Sequence, residues 1–480
     1  MGTARSGHLT PGMYGSGPGV DYGQEVGRLS HRNDAAVDVY QGAFGAEQAE
    51  RLLWRSGFGP RPGEAESLAA AGLDGAVSTL TDPGPEQLVG PPPHNDSGRP
   101  LNPYAVWGED HCWWLDRMVR TSRPLIERMT LVWHDWFATS NESVGSQRLM
   151  LDQNALFRAN ALVPFHRLFL AVTSNPAMLV FLNGIDNVKG TPNENYAREM
   201  MELFTLGADR GAYTEEDVRQ QARSLTGWQD RWSKNRGQVD FHFDPDEHDD
   251  GMKRVFGKSG RFGWQDACLL CLQQPLHASF FVEKLWSYFV PTPPSAATLA
   301  GLEQIYRQGY AVKPVVQAIL RHPDLYEGER MVKPPIVHTA GLLRRIGMGI
   351  TTTDWAWIGQ MAGQQLFYPP NVAGWDDTRW LDTATFLGRW TGAARIIQDR
   401  NVNPNHPPAN QPSDPATLVT SALAFWRNPA LTSGTLRVLN EFARRATTTA
   451  TADWEKKAYP PLIENALRQL IAVSPDLQTA

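Results

Sequence analysis

Two glutamates, an asparagine and two arginines fall at helical spacing within Thr191 to Trp228, TPNENYAREMMELFTLGADRGAYTEEDVRQQARSLTGW. Asn195, Glu199 and Glu202 stand at i, i+4 and i+7, which puts them on one helical stripe. Tyr196, Met200, Leu203 and Phe204 make a separate apolar stripe with the same period. Arg219 and Arg223, four apart, share a face of a second helix. The Gly-containing connection is short, which favours antiparallel neighbours and lets acids and guanidiniums meet. Two carboxylates on adjacent turns can ligate a metal or act as an acid/base pair. The same spacing also describes a solvated face, or an ion-pair lattice with Arg198 and Glu202 as an i, i+4 pair. Periodicity alone does not choose.

Three further stretches carry polar groups suited to chemistry. His134 sits among aromatics in WHDWF, either as a core histidine or as a ligand or general base whose pKa burial would tune. FHFDPDEHDDGMKRVFG is dense in carboxylates, which suits a hard cation. EF-hand spacing nevertheless fails, because Gly257 stands where the bidentate Glu belongs. The same segment also reads as a solvated acidic hairpin. His248 and Asp249 within it are the candidates to share a cleft with Glu199.

The third stretch, QLFYPPNVAGWDDTRWLDTATFLGRW, is broken by Pro369, Pro370 and Gly374 and reads as an ordered loop. Its Tyr368, Trp375 and Trp380 alternate with Asn371, Asp376, Asp377 and Arg379, as a sugar or aromatic-peptide cleft requires. A loop held into the core by its tryptophans would look the same. Arg389 is expected to fold back onto a helix carboxylate.

The candidate sets follow. Glu199, Glu202, His134 and Arg223 are the catalytic candidates. Asn195, Asn371, Trp375, Trp380 and Arg389 are the binding candidates. His134, Glu199, Glu202, His248 and Asp249 are the ligands for a divalent ion such as Fe, Mn or Zn.

PNENYAREMMELFTLG followed by YTEEDVRQQARSLTGW resembles the central signature of a bacterial family, domain of unknown function 1800. RLLWRSGFGP (Arg51 to Pro60), LVWHDWFATS, HDDGMKRVFG, FFVEKLWSYFV, VKPPIV and PPNVAGWDDTRWL follow in the family's order. The resemblance covers roughly Phe44 to Asp399. It carries no established activity, so no catalytic residue comes with it. It does imply that family members often carry a second His where this chain has Trp136, and that members are often exported.

The chain has 480 residues, with 41% hydrophobic and 20% charged, which describes a soluble globular protein. A formal charge of −6 and the lack of a Lys/Arg run argue against a nucleic-acid surface. Three cysteines form no disulfide framework, and Cys268 and Cys271 read as buried thiols on one apolar helix. No apolar run is long enough to span a membrane, and no export signal is visible, so the cytoplasm is the default location.

The expected fold is mainly α, with a small β hairpin near residues 238–257 and a helix over Tyr104 to Arg120. Residues 1–40 read as a mobile segment, 44–398 as a helical domain, 399–415 as a Pro/Asn-rich linker and 416–480 as a helical subdomain. Three functions compete: an enzyme with a Trp-lined His/Glu/Asp cleft, a module binding a carbohydrate or cell-envelope polymer, and a structural or partner-docking protein.

Overall fold

A helix that is buried on every side has to be surrounded by others, and Pro124–Trp136 is such a helix. In the computed structural model, which describes residues 37–480, it runs through the middle of a mainly α-helical fold. The expectation for residues 1–40 therefore falls almost wholly outside the described residues. Leu125, Met129, Val132, Trp133 and Trp136 face one apolar core, which the Asn195–Leu206 segment and the Glu215–Ser224, Trp264–Leu272 and His277–Ser287 helices complete. Leu131 faces a second core, formed with Glu109–Arg120, Pro335–Ile346, Asp354–Met361, Thr383–Gln398 and the C-terminal helices.

The β structure is larger than expected. Strands β1 (Trp228–Ser233) and β2 (Gly237–Phe243) form one antiparallel hairpin, and β3 (Lys253–Val255) and β4 (Lys258–Gly260) form another. The hairpin expected over 238–257 is thus two short ones, with the acidic turn between them.

Two helical expectations also need correction. The helix assigned to Tyr104–Arg120 begins at Glu109, because Gly108 takes φ 82° and breaks the turn. The charged helix is α-helical only over Asn195–Glu199 and continues as a π-helix over Met200–Leu206. The Thr205 hydroxyl donates to the Met200 carbonyl at 2.6 Å, five residues back, inside the widened turn. Cys112, Cys268 and Cys271 are buried free thiols. Burial pushes the Cys268 thiol up to about 12.

Buried guanidiniums tie distant segments together. Arg344 donates to both oxygens of Glu64 and to the carbonyls of Gly59, Met118, Val119 and Thr121. Arg55 reaches the backbone oxygens of Phe289, Glu329 and Ala480. No helix among the described residues is long and apolar enough to cross a membrane.

Replacing Arg344 with Ala would leave four carbonyls and the Glu64 carboxylate without their shared donor. The expected cost is about 3–5 kcal/mol, read as a lowered urea midpoint. Arg344→Lys should recover little, since an ammonium cannot reproduce the planar fork.

Candidate functional site

Four aromatic side chains from three separate segments meet at one surface groove. Trp107 precedes the Glu109–Arg120 helix, Trp357 lies on Asp354–Met361, and Tyr368 and Trp375 lie on the Pro-rich loop. Trp355 and Ile358 bury one face of the DWAWIGQM helix, so Trp357 and Gln360 point the other way, outward. Gly108 lets the two elements approach, since a Cβ there would lie 3.3 Å from the Ala356 Cβ. The Trp107 and Trp357 rings then stand 4.6 Å apart at 53°, yet remain 42% and 56% exposed. Glu142, Gln360 and Gln365 complete the walls of a cavity of about 470 Å³.

The groove's floor is fixed from beneath. Asn141 donates through its backbone N–H to the Phe367 carbonyl at 2.8 Å and through Nδ2 to the Tyr368 hydroxyl at 3.1 Å. Asp135 accepts the Trp375 backbone N–H at 2.9 Å on one oxygen and the Tyr288 hydroxyl at 2.7 Å on the other. Gly374 has φ 98° and no room for a Cβ, which would fall 2.4 Å from Asp135 Oδ1. Burial raises the Asp135 carboxyl above its usual range, and the two donors only partly oppose that. Trp375 is 8% exposed, and its Nε1 has no partner among the described residues. Neighbouring Lys284 lies 4.6 Å over the Trp136 ring, and burial lowers it to about 8.

His134 lies behind Trp375. Its ring is boxed by Trp114, Phe157, Phe367 and Trp375 at centroid distances of 5.3, 6.3, 5.7 and 5.4 Å. Nε2 is buried without a partner among the described residues, and desolvation lowers the imidazole to about 3. The ring is therefore neutral at pH 7.

The remaining sequence candidates occupy other neighbourhoods. Glu199 and Glu202 stay close, and Glu202 accepts the Tyr213 hydroxyl at 3.3 Å. Half-burial and the charge of Glu202 raise the Glu199 carboxyl. The guanidinium that links the two helices is not the one expected. Arg198 pairs with Glu194 and crosses to Glu215 rather than to Glu202, while Arg219 pairs with Glu216.

Arg223 grips Asp249 with two bonds, 2.7 and 3.2 Å, and also serves Gln220 and the Met252 carbonyl. That contact holds the Asp249 carboxyl below its usual range. His248 Nδ1 lies 2.9 Å from the Thr226 carbonyl. Asn195 bonds Asn183, and Asn371 Oδ1 closes its own turn by accepting the Ala373 N–H at 2.8 Å.

Among the described residues Arg389 meets no carboxylate. It is buried, donating to the Trp380 and Lys333 carbonyls and to Gln478 Oε1, and desolvation lowers it to about 9. Trp380 is held in the same knot through its carbonyl.

Among the described residues, no three His, Cys, Asp or Glu side chains converge as a metal site. His134, the Glu199–Glu202 pair and the His248–Asp249 turn therefore do not form one ligand set. The groove residues that sequence reasoning missed are Trp107, Trp357, Gln360, Gln365 and Glu142. The signal for Trp357 was in DWAW, where two indoles two residues apart must lie on opposite helix faces, so one is wet.

His134 generates a pH prediction. Its folded value of about 3 lies below the ordinary 6.5, so on acidification the unfolded chain takes up a proton that the folded chain refuses. Its contribution is complete above about pH 6.5 and is lost towards pH 3, at about 1.4 kcal/mol per pH unit. His111, also lowered to about 3 by burial, acts in the same direction. Urea unfolding at stepped pH should show a shallower decline for His134→Phe, by about one proton. An equal slope in the two proteins would mean that the native imidazole already carries the charge.

Residues 51–479 match the family described as Protein of unknown function (DUF1800), well past residue 399 and through the C-terminal helices. No curated protein and no solved structure matches the chain. The match spans most of the sequence and includes every segment that builds the groove: the chain belongs to the DUF1800 family.

Proposed function

We propose that the protein binds a glycan, such as a polymer of the cell envelope, in the groove between Trp107, Trp357, Tyr368 and Trp375. The observation that carries this reading is the contacting, half-exposed Trp107–Trp357 pair at the rim. Two indoles left in water beside each other keep apolar area that folding has not buried, which is the mark of a surface awaiting a partner. A pyranose offers the complement: an apolar face for an indole and a ring of hydroxyls. Those hydroxyls find the amides of Gln360 and Gln365, the Glu142 carboxylate and the Tyr368 phenol within one cavity.

An acid/base or metal reading centred on Glu199 has less support, because His134, His248 and Asp249 do not gather beside that residue. The proposal also separates the two kinds of polar cluster. Arg223–Asp249 and Arg198–Glu215 are bonded to each other, whereas the groove side chains keep hydrogen-bonding capacity to spare.

Titration calorimetry against a panel of neutral soluble glycans tests this. Trp357→Ala should weaken binding at least about tenfold, equal to ~1.4 kcal/mol, with no change in melting temperature. Glu199→Gln should bind as the parent does. Binding that survives Trp357→Ala, or that fails with Glu199→Gln, would move the site elsewhere.

A further inference from the structure

Trp357 is a wall of two cavities rather than one. A second cleft of about 600 Å³, also walled by Trp357, lies between the Asp354–Met361 and Thr383–Gln398 helices. Thr391, Ala394, Arg395, Gln398 and Asn401 line it. Both volumes fall in the range that holds a small organic ligand, roughly 300–1,000 Å³. A half-exposed indole between two such cavities presents apolar surface towards each.

The charge lining the two cavities narrows what can lie there. The first carries the Glu142 carboxylate and no Lys or Arg among its lining residues. In the second, the lining cation is Arg395, and it is already committed. Its Nε donates to Asp354 at 3.1 Å and its Nη1 to Asp399 at 2.7 Å. Asp354 itself lines the cleft, so an anionic ligand would meet carboxylates without an uncommitted cation to offset them. What remains along the path is amide and hydroxyl: Gln360, Gln365, Thr391, Gln398 and Asn401.

Resting on the glycan-binding reading, we infer that the ligand is a linear, uncharged polysaccharide whose chain crosses Trp357 and fills both clefts. The indole is then the central stacking platform of an extended site. Affinity is set by how many consecutive sugar units are engaged, and an isolated sugar fills only one side. Uronic, sulfated and phosphorylated chains are disfavoured by the carboxylates.

A ladder of cello- and fully N-acetylated chito-oligosaccharides, from disaccharide to octasaccharide, tests the inference by calorimetry on the full chain. Affinity should climb at least about tenfold from the shortest members to a plateau, ~1.4 kcal/mol, and then stop. Ala394→Trp fills the second cleft from an exposed position. It should bring the long oligosaccharides down to the affinity of the disaccharide while leaving the disaccharide unaffected. Gln398→Ala, a milder change, should lower the plateau alone.

Disaccharides that bind with no gain on lengthening would overturn the two-cleft inference and leave the glycan-binding reading standing. A panel in which no sugar binds would remove that reading and the inference with it. Tighter binding of a polyuronate than of the neutral ladder would overturn the charge argument. A proline-rich peptide that occupied the groove in place of every sugar would assign it to protein recognition and overturn both.

Discussion

The fold depends on how the Pro124–Trp136 helix satisfies the polar groups it carries into the interior. Almost every residue of this helix is buried, including Glu127, Arg128 and His134, so the neighbouring elements must supply partners as well as apolar contact. Glu127 accepts from Trp114 Nε1 at 2.6 Å and from Arg158 Nε and Nη2 at 2.8 and 2.6 Å. These bonds orient the Glu109–Arg120 and Gln147–Ala159 helices around it. At the other end, Asp135 holds the backbone of Trp375 and the hydroxyl of Tyr288. The groove therefore stands where the central helix needs hydrogen bonds, and the aromatic loop is the element that provides one.

The buried guanidiniums extend the same logic over long stretches of chain. Arg55, Arg344 and Arg389 each donate mainly to backbone oxygens at the ends of other segments, and Arg344 also meets the Glu64 carboxylate. Planar forks with several donors can serve several carbonyls at once, and a carbonyl at a helix end has no partner inside its own helix. Many of the polar residues that make the family's motifs recognisable are thus cross-links of the fold. This separates membership of a family from knowledge of its chemistry, because a motif rich in Arg and Glu can record packing alone.

Much of this was legible along the chain. The period of Tyr196, Met200, Leu203 and Phe204 marks a buried face, and all but the half-buried Leu203 are fully buried. The prolines and Gly374 mark the ordered loop on which Trp375 sits. The widened turn after Met200 was not legible, because it depends on where the Thr205 hydroxyl finds an acceptor. The partner of Arg223 was hidden for a related reason: its choice between a helix acid and Asp249 is set by how the acidic turn between the hairpins folds back. Arg389 was misread because a charge on the helix that follows an indole-bearing loop looks like a ligand clamp until its carbonyl acceptors are seen.

The sequence by itself determined what is local: a mainly helical chain, the breaks at proline and glycine, the wet and dry faces of each helix, and membership of the family. Those follow from backbone geometry and the spacing of apolar side chains over a few turns. Only the tertiary structure decided which polar groups share a space. Trp107, Trp357 and Trp375 meet because Gly108 and Gly374 permit close approach and Asp135 fixes the loop, whereas His134, Glu199 and His248 stay apart because each lies against a different neighbour. Convergence of residues far apart in sequence is a property of packing, and periodicity within one helix carries no information about it.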